Sequence, residues 1–348
     1  MHRRVSETGS AATGPASPPL LAQTIGDCLE QAARRHAADL ALVVKHQGIR
    51  WTYEEYLHRV DRLAAGLLAL GLEPGDRVGI WAPNCVEWCL TQFATARIGA
   101  IMVCINPAYR LHELEYVLNK AGCRALVTAE TFKGSHYLDM LGELAPELAA
   151  LPPATPLSSA RLPALEFLIR LGEAPTPGMY NFDEVCESGD AQSGAALREV
   201  CAARAPGEAI NIQFTSGTTG SPKGATLTHH NILNNGKLVG DGMQLTAADR
   251  LCIPVPLYHC FGMVMGNLAC VTHGAAAVLP GEAFEPASTL QAVADEGCTA
   301  LHGVPTMFIA ELECPSFDNY DLGTLRTGIM AGAPCPVEVM KQVIDRMH

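Results

Sequence analysis

INIQFTSGTTGSPKGATLTHHN, residues 210–231, is the stretch on which the reading of the fold turns. Residues 209–214 are apolar or alternate, as a buried strand does. They feed a loop of small residues carrying a single lysine. Gly217, Gly220 and Gly224 let backbone N–H groups turn toward an anion. Thr215, Ser216, Thr218, Thr219 and Ser221 add hydroxyl donors, and Lys223 adds a full positive charge. The set suits a polyphosphate. It is not a Walker A loop, which needs Gly directly before the lysine and Ser or Thr after it; here Pro222 and Gly224 hold those places. Composition alone leaves two readings open, a phosphate cradle and a flexible Gly/Ser linker.

Outward from this loop, helix and strand signals alternate. Residues 52–71 predict a helix. Thr52 and Glu55 make a capping box, Tyr53, Tyr56, Leu57, Val60, Leu63, Ala64, Leu67 and Leu68 keep the spacing of a buried stripe, and Gly71 stops it. The turn Glu73–Asp76 leads to a strand over 77–81. Helix 85–97, strand 101–105, helix 112–121 and strand 124–128 follow. Beyond the loop, strands are predicted near 251–255, 275–279, 299–303 and 325–330. Helices near 260–271, 286–296, 305–312 and 336–346 lie between or after them. Such alternation implies an α/β fold, a mainly parallel sheet with helices on its faces. Seven prolines between 146 and 177 break the pattern, so that window is expected to be a surface excursion or linker. There is no internal repeat and no coiled-coil heptad.

Composition sets outer bounds. At 348 residues, 48% of them hydrophobic, the chain has material for a core of roughly two lobes. Its formal charge of −12 disfavours nucleic acid and anionic membrane as partners. No apolar run is long enough to span a bilayer, so no stable membrane insertion is expected. The 13 cysteines are odd in number, scattered, and without a CxxC pair, which argues for reduced, mostly buried thiols over disulfides or a metal site. Residues 1–20 lack a secretory h-region and carry few arginines, so a disordered tail is expected there.

The ten-residue run TSGTTGSPKG, followed by THHN, resembles the phosphate loop of the adenylate-forming (AMP-binding) superfamily: acyl- and aryl-CoA synthetases, peptide-synthetase adenylation domains and luciferases. The resemblance extends across most of the chain. Trp51-Thr-Tyr53, Gly75-Asp-Arg77, Asn106-Pro-Ala-Tyr-Arg110, Pro256-Leu-Tyr-His-Cys-Phe-Gly262, Val304-Pro-Thr306 and Ala331-Gly-Ala-Pro334 fall in family order. The combination is most similar to the acyl-CoA synthetase family member 2-like fatty-acyl-CoA ligases. This implies the adenylate-forming large N-terminal domain over residues 21–348, with parallel-rich sheets and helices on both faces. It also implies ATP, Mg²⁺ and CoA, and a fatty acid, in the medium-chain range, as substrate. By the same resemblance, Thr215, Ser216, Gly217, Thr218, Thr219, Gly220, Ser221, Pro222 and Lys223 grip the β- and γ-phosphates. Gly332, Ala333 and Pro334 lie against adenine and substrate, and His259 is the catalytic candidate, able to hydrogen-bond the substrate carboxylate. A strand-capping histidine and an ordinary strand-to-helix turn are the plain alternatives for His259 and for residues 332–334. Alanine, glycine and methionine near Gly262–Gly266 suggest either an acyl tunnel or ordinary core.

The sequence departs from the family pattern in several respects. None of the eight tyrosines precedes glycine, so the family's Tyr-Gly-x-Thr-Glu motif, whose Glu helps hold Mg²⁺, does not occur. The ribose Asp, the hinge and the small C-terminal domain with its catalytic Lys are likewise missing from the 348 residues. The expectation is a partial large domain, inactive alone. The alternatives are an amino-acid or aryl-acid adenylation domain, and a non-catalytic nucleotide-binding remnant. The compartment implied is the cytoplasm, or the mitochondrial matrix for a eukaryotic form with a leader.

Overall fold

A computed structural model describes residues 19–189, 191–215 and 222–347. Its strands, in chain order, are β1 (Leu40–Val44), β2 (Ile49–Thr52), β3 (Arg77–Trp81), β4 (Ile101–Cys104) and β5 (Cys123–Thr128). Then come β6 (Thr131–Phe132), β7 (Ser135–His136), β8 (Phe167–Arg170), β9 (Tyr180–Asn181), β10 (Ala209–Thr215) and β11 (Lys223–Thr228). Last are β12 (Arg250–Cys252), β13 (Ala276–Leu279), β14 (Ala300–Gly303) and β15 (Thr327–Met330). They form a seven-stranded sheet in the order β11-β10-β4-β3-β5-β8-β9, a six-stranded sheet in the order β15-β14-β12-β13-β1-β2, and the small hairpin β6–β7. Each large sheet is parallel apart from one edge strand, β11 or β2, which runs antiparallel. The α/β architecture expected from the alternation is present. The strands are divided between two large sheets, as the resemblance implied, where alternation alone read as one.

Helices carry the chain from one parallel strand to the next. Val86–Ile98 joins β3 to β4, Leu111–Ala121 joins β4 to β5, and Pro286–Glu296 joins β13 to β14. The local signals act as read. Thr52 caps the helix Tyr53–Ala69: its hydroxyl accepts the Glu55 N–H at 3.2 Å while the Glu55 carboxylate accepts the Thr52 N–H at 2.8 Å.

Helices the sequence reading did not name, such as His229–Met243, are also present, and three further differences bear on the site. The window 146–177 is not a plain excursion, because Phe167–Arg170 is a fully buried strand paired in parallel with β5, and Leu157, Leu162 and Leu165 are buried beside it. The prolines flank residues 164–174 without entering them, so that stretch keeps every N–H a ladder needs. Second, Leu40–Val44 and Ile49–Thr52 form a hairpin at the edge of the six-stranded sheet. Third, residues 223–228 form β11, antiparallel to β10. The sequence reading placed no strand there; the loop between them connects the two arms of a hairpin. Of the expected tail, only Pro19 and Leu20 fall within the described residues.

Alternation places the core on both faces of the six-stranded sheet. Leu42, Val44, Leu251, Ala277 and Leu279 join the large apolar cluster shared with the other sheet. Val43, Cys252, Val278 and Leu301 face a second, smaller cluster under the helices Pro286–Glu296 and Pro305–Leu312. β15 pairs only with β14 among the described residues, and Val337 and Ile344 of the following helix are exposed.

Candidate functional site

In an open α/β sheet the place for a ligand is the crevice beyond the carboxyl ends of the strands, where the strand order reverses. Both large sheets have such a point. In the seven-stranded sheet β4 and β5 lie on opposite sides of β3, and in the six-stranded sheet β13 and β14 lie on opposite sides of β12. The six loops leaving these strands meet at one cavity of about 350 Å³. Asn84 and Asn106 come from the first sheet's loops, together with Phe132 and Lys133. Pro254, Pro256 and Tyr258, then Glu282–Phe284 and Met307, come from the second.

The two halves of this crevice are tied together by Asn84, which is buried. Its amide donates to the Val255 carbonyl at 3.0 Å and accepts the Leu257 N–H at 2.8 Å, and its own backbone N–H donates to the Glu282 carbonyl at 3.1 Å. The opposite wall is braced by aromatic donors. Trp81 and Tyr137 stack with centroids 3.6 Å apart. The indole N–H donates to the Asn106 carbonyl at 3.2 Å and the phenol to the Pro107 carbonyl at 2.6 Å. None of these three side chains stood out in the sequence, because each is an ordinary residue whose role depends on a neighbour distant along the chain.

The glycine-rich loop opens from the same end of the seven-stranded sheet. β10 runs parallel to β4, with Gln213 opposite Cys104, so Thr215 leaves the sheet on the side where Asn106 does. Thr215 faces Lys223 across the β10–β11 pair, and its hydroxyl lies 3.4 Å from the Lys223 carbonyl as a donor. Lys223 is exposed, and the Tyr116 hydroxyl donates to the Pro222 carbonyl at 3.2 Å. Of the proposed phosphate-gripping set, Thr215, Pro222 and Lys223 are described, while Ser216, Gly217, Thr218, Thr219, Gly220 and Ser221 lie outside the described residues.

His259 follows β12 and is exposed. It is not part of the cavity lining, which stops at its neighbour Tyr258. Its Nδ1 accepts the Phe261 N–H at 3.1 Å, capping the short helix Cys260–Gly262. That bond assigns the neutral tautomer with the proton on Nε2, and partial desolvation of the ring lowers its pKa, keeping it neutral. Burial raises the Tyr258 phenol. Gly332 lies past the carboxyl end of β15 with φ +87°, and Gly332, Ala333 and Pro334 are exposed. A Cβ on Gly262 would lie 2.4 Å from the Pro256 carbonyl oxygen, and one on Gly266 2.9 Å from Ile253 Cδ1. Both residues are small because the helix packs directly on the segment that follows β12.

All 13 cysteines are free, and only Cys260 and Cys335 are exposed. Among the described residues no group of three or more His, Cys, Asp or Glu side chains is placed to hold a metal. No helix among them is long and apolar enough to cross a membrane.

Comparison with known proteins bears on the family and the fold. The provisionally named acyl-CoA synthetase YngI of Bacillus subtilis is 47% identical over 94% of this chain and 59% of its own length. The mitochondrial medium-chain acyl-CoA ligase ACSF2 of Danio rerio is 42% identical over 98% of this chain and 56% of its own. Among solved structures, the anthranilate CoA ligase AuaEII, in complex with anthranoyl-AMP, superposes with a TM-score of 0.80 at 24% identity, covering 96% of this chain and 60% of that one. The inhibitor-bound N-terminal domain of FACL13 from Mycobacterium tuberculosis gives 0.76 at 23%, covering 93% and 73%. These structures share the fold. The chain spans little more than half the length of the curated relatives it matches. The AMP-binding enzyme family matches residues 29–348, and with relatives this similar along almost its entire length the chain belongs to that family.

Proposed function

We propose that this chain carries the nucleotide- and acid-binding part of an ATP-dependent fatty acid–CoA ligase, with residues 21–348 as its large AMP-binding domain. The observation that carries the reading is the convergence of both sheets' reversal points on one crevice, with Lys223 presented from the same end of the seven-stranded sheet. Relatives named medium-chain acyl-CoA ligases support a medium-chain acid.

In the proposed reaction a carboxylate oxygen attacks the α-phosphorus of ATP, the α–β bond breaks and pyrophosphate leaves. The CoA sulfur then attacks the acyl carbon and AMP leaves. The first step brings two anions together, so this chain's residues must position them and offset charge. Lys223, with the donors of residues 215–222, supplies the counter-charge at the β- and γ-phosphates. His259 offers its Nε2–H to the acid's carboxylate, a role open to it because Nδ1 is already engaged. Residues 332–334 close on the nucleotide base. Magnesium finds no set of protein ligands among the described residues; the proposal leaves it on the triphosphate and takes no step through it.

A second reading is favoured by Glu282, which lines the crevice and whose carboxylate would suit the ammonium of an amino acid. That residue is exposed, so water screens any selection it exerts. Titration of the 348-residue chain with ATP tests the main reading. Lys223→Ala is expected to weaken affinity about 10- to 100-fold, the typical worth of a charged hydrogen bond. Equal affinity in both proteins removes Lys223 from the site. Octanoate enhancing ATP affinity where amino acids do not favours the fatty acid, and the reverse favours the second reading.

A further inference from the structure

We propose that Tyr116 is a positioning residue for Lys223, an inference that rests on the nucleotide reading above. Pro222 has no N–H, so its carbonyl is the one polar backbone group it offers. That carbonyl shares a rigid peptide plane with the Lys223 N–H and Cα. The Tyr116 hydroxyl donates to it at 3.2 Å and so holds the plane on the amino side of Lys223. The plane on the carboxyl side is held by the Thr215 hydroxyl, a donor 3.4 Å from the Lys223 carbonyl. Two side-chain hydroxyls from different elements thus grip the two peptides that orient one lysine Cα.

The two grips are anchored differently. Thr215 belongs to the same hairpin as Lys223 and moves with it. Tyr116 belongs to the helix Leu111–Ala121, which is fixed to the core by Leu114, Val117 and Leu118. That helix starts directly after Asn106–Arg110, the loop that walls the crevice and is braced by Trp81 and Tyr137. Tyr116 therefore sets the exposed end of β11 relative to the crevice wall. A lysine ammonium rides on a long, flexible stem with many rotamers. Fixing its Cα is the means by which the fold limits where the ammonium can reach.

The test is a double-mutant cycle on ATP affinity, using the 348-residue chain with Tyr116→Phe, Lys223→Ala and both together. Removing one neutral hydrogen bond predicts an affinity about 3- to 10-fold weaker for Tyr116→Phe, with the urea midpoint unchanged. Because Tyr116 acts through Lys223, the double variant is expected to bind no more weakly than Lys223→Ala alone. Amide exchange at Lys223 and Gly224 is expected to quicken in Tyr116→Phe. Wild-type affinity in Tyr116→Phe, or losses that add in the double variant, would overturn the proposal while leaving the nucleotide reading intact. A wild-type chain that binds ATP no better than Lys223→Ala overturns both.

Discussion

Glu311 has no exposed surface, and neither carboxylate oxygen has a hydrogen-bond partner among the described residues. Desolvation pushes its pKa from 4.5 up to about 8. The unfolded chain releases this proton near pH 4.5 and the folded chain holds it to about pH 8, so the unfolded state binds fewer protons between those values and stability falls as pH rises through that window. A neutral apolar residue of similar volume removes the penalty. Glu311→Met is expected to raise stability at pH 7.5 by on the order of 3 kcal/mol, with a much smaller gain at pH 5. Urea denaturation at the two pH values measures it, and a gain independent of pH would show that packing, not ionisation, is responsible. His302, also fully buried, shows the opposite shift. Desolvation lowers it to about 4, and its Nε2 bonds the Met265 carbonyl at 3.0 Å, so the ring stays neutral.

Among the elements, the helix that begins just after Tyr258 and His259 owes its position to two glycines, Gly262 and Gly266. The segment from Cys260 to His273 changes winding over Met263–Leu268, where it widens to a π-helix. Buried donors meet carbonyls of that wide turn: Gln92 Nε2 bonds the Met263 carbonyl at 3.2 Å and His302 the Met265 carbonyl. Its first turn rests on the loop after β12 because Gly262 has no Cβ. Gly262→Ala would force that Cβ against backbone, which cannot swing aside as a side chain can. The expected loss is about 1–3 kcal/mol, read as a lowered thermal midpoint. An unchanged midpoint would mean that the helix can shift outward freely.

At the scale of the whole molecule, the crevice exists only where the two sheets are held in register with each other. Asn84 makes three hydrogen bonds from one sheet's loop to loops of the other. Asn84→Ala leaves the Val255 carbonyl and Leu257 N–H buried and unpaired. Each such group costs about 1–3 kcal/mol, so a loss of roughly 2–6 kcal/mol is expected. The denaturation midpoint measures the loss. A loss under about 1 kcal/mol would show that water replaces the amide and that the apolar cluster shared by the sheets suffices.

What the sequence determined by itself was local and periodic. The capping box at Thr52 and Glu55, the helices at 286–296 and 305–312, and most parallel strands are legible because their causes lie within a few residues of each other. The family resemblance was legible for the same reason, since the glycines, hydroxyls and lysine that carry it are contiguous in the sequence. The tertiary structure decided what depends on partners far apart in the chain. It divided the strands into two sheets, made Phe167–Arg170 a buried strand in a proline-rich window, and folded residues 223–228 back on β10. It also brought Asn84, Trp81, Tyr137 and Tyr116 to the crevice and its loops. A hydrogen bond between residues as distant as 116 and 222 leaves no periodicity to read, because it forms only after the sheets and helices have placed its two ends together.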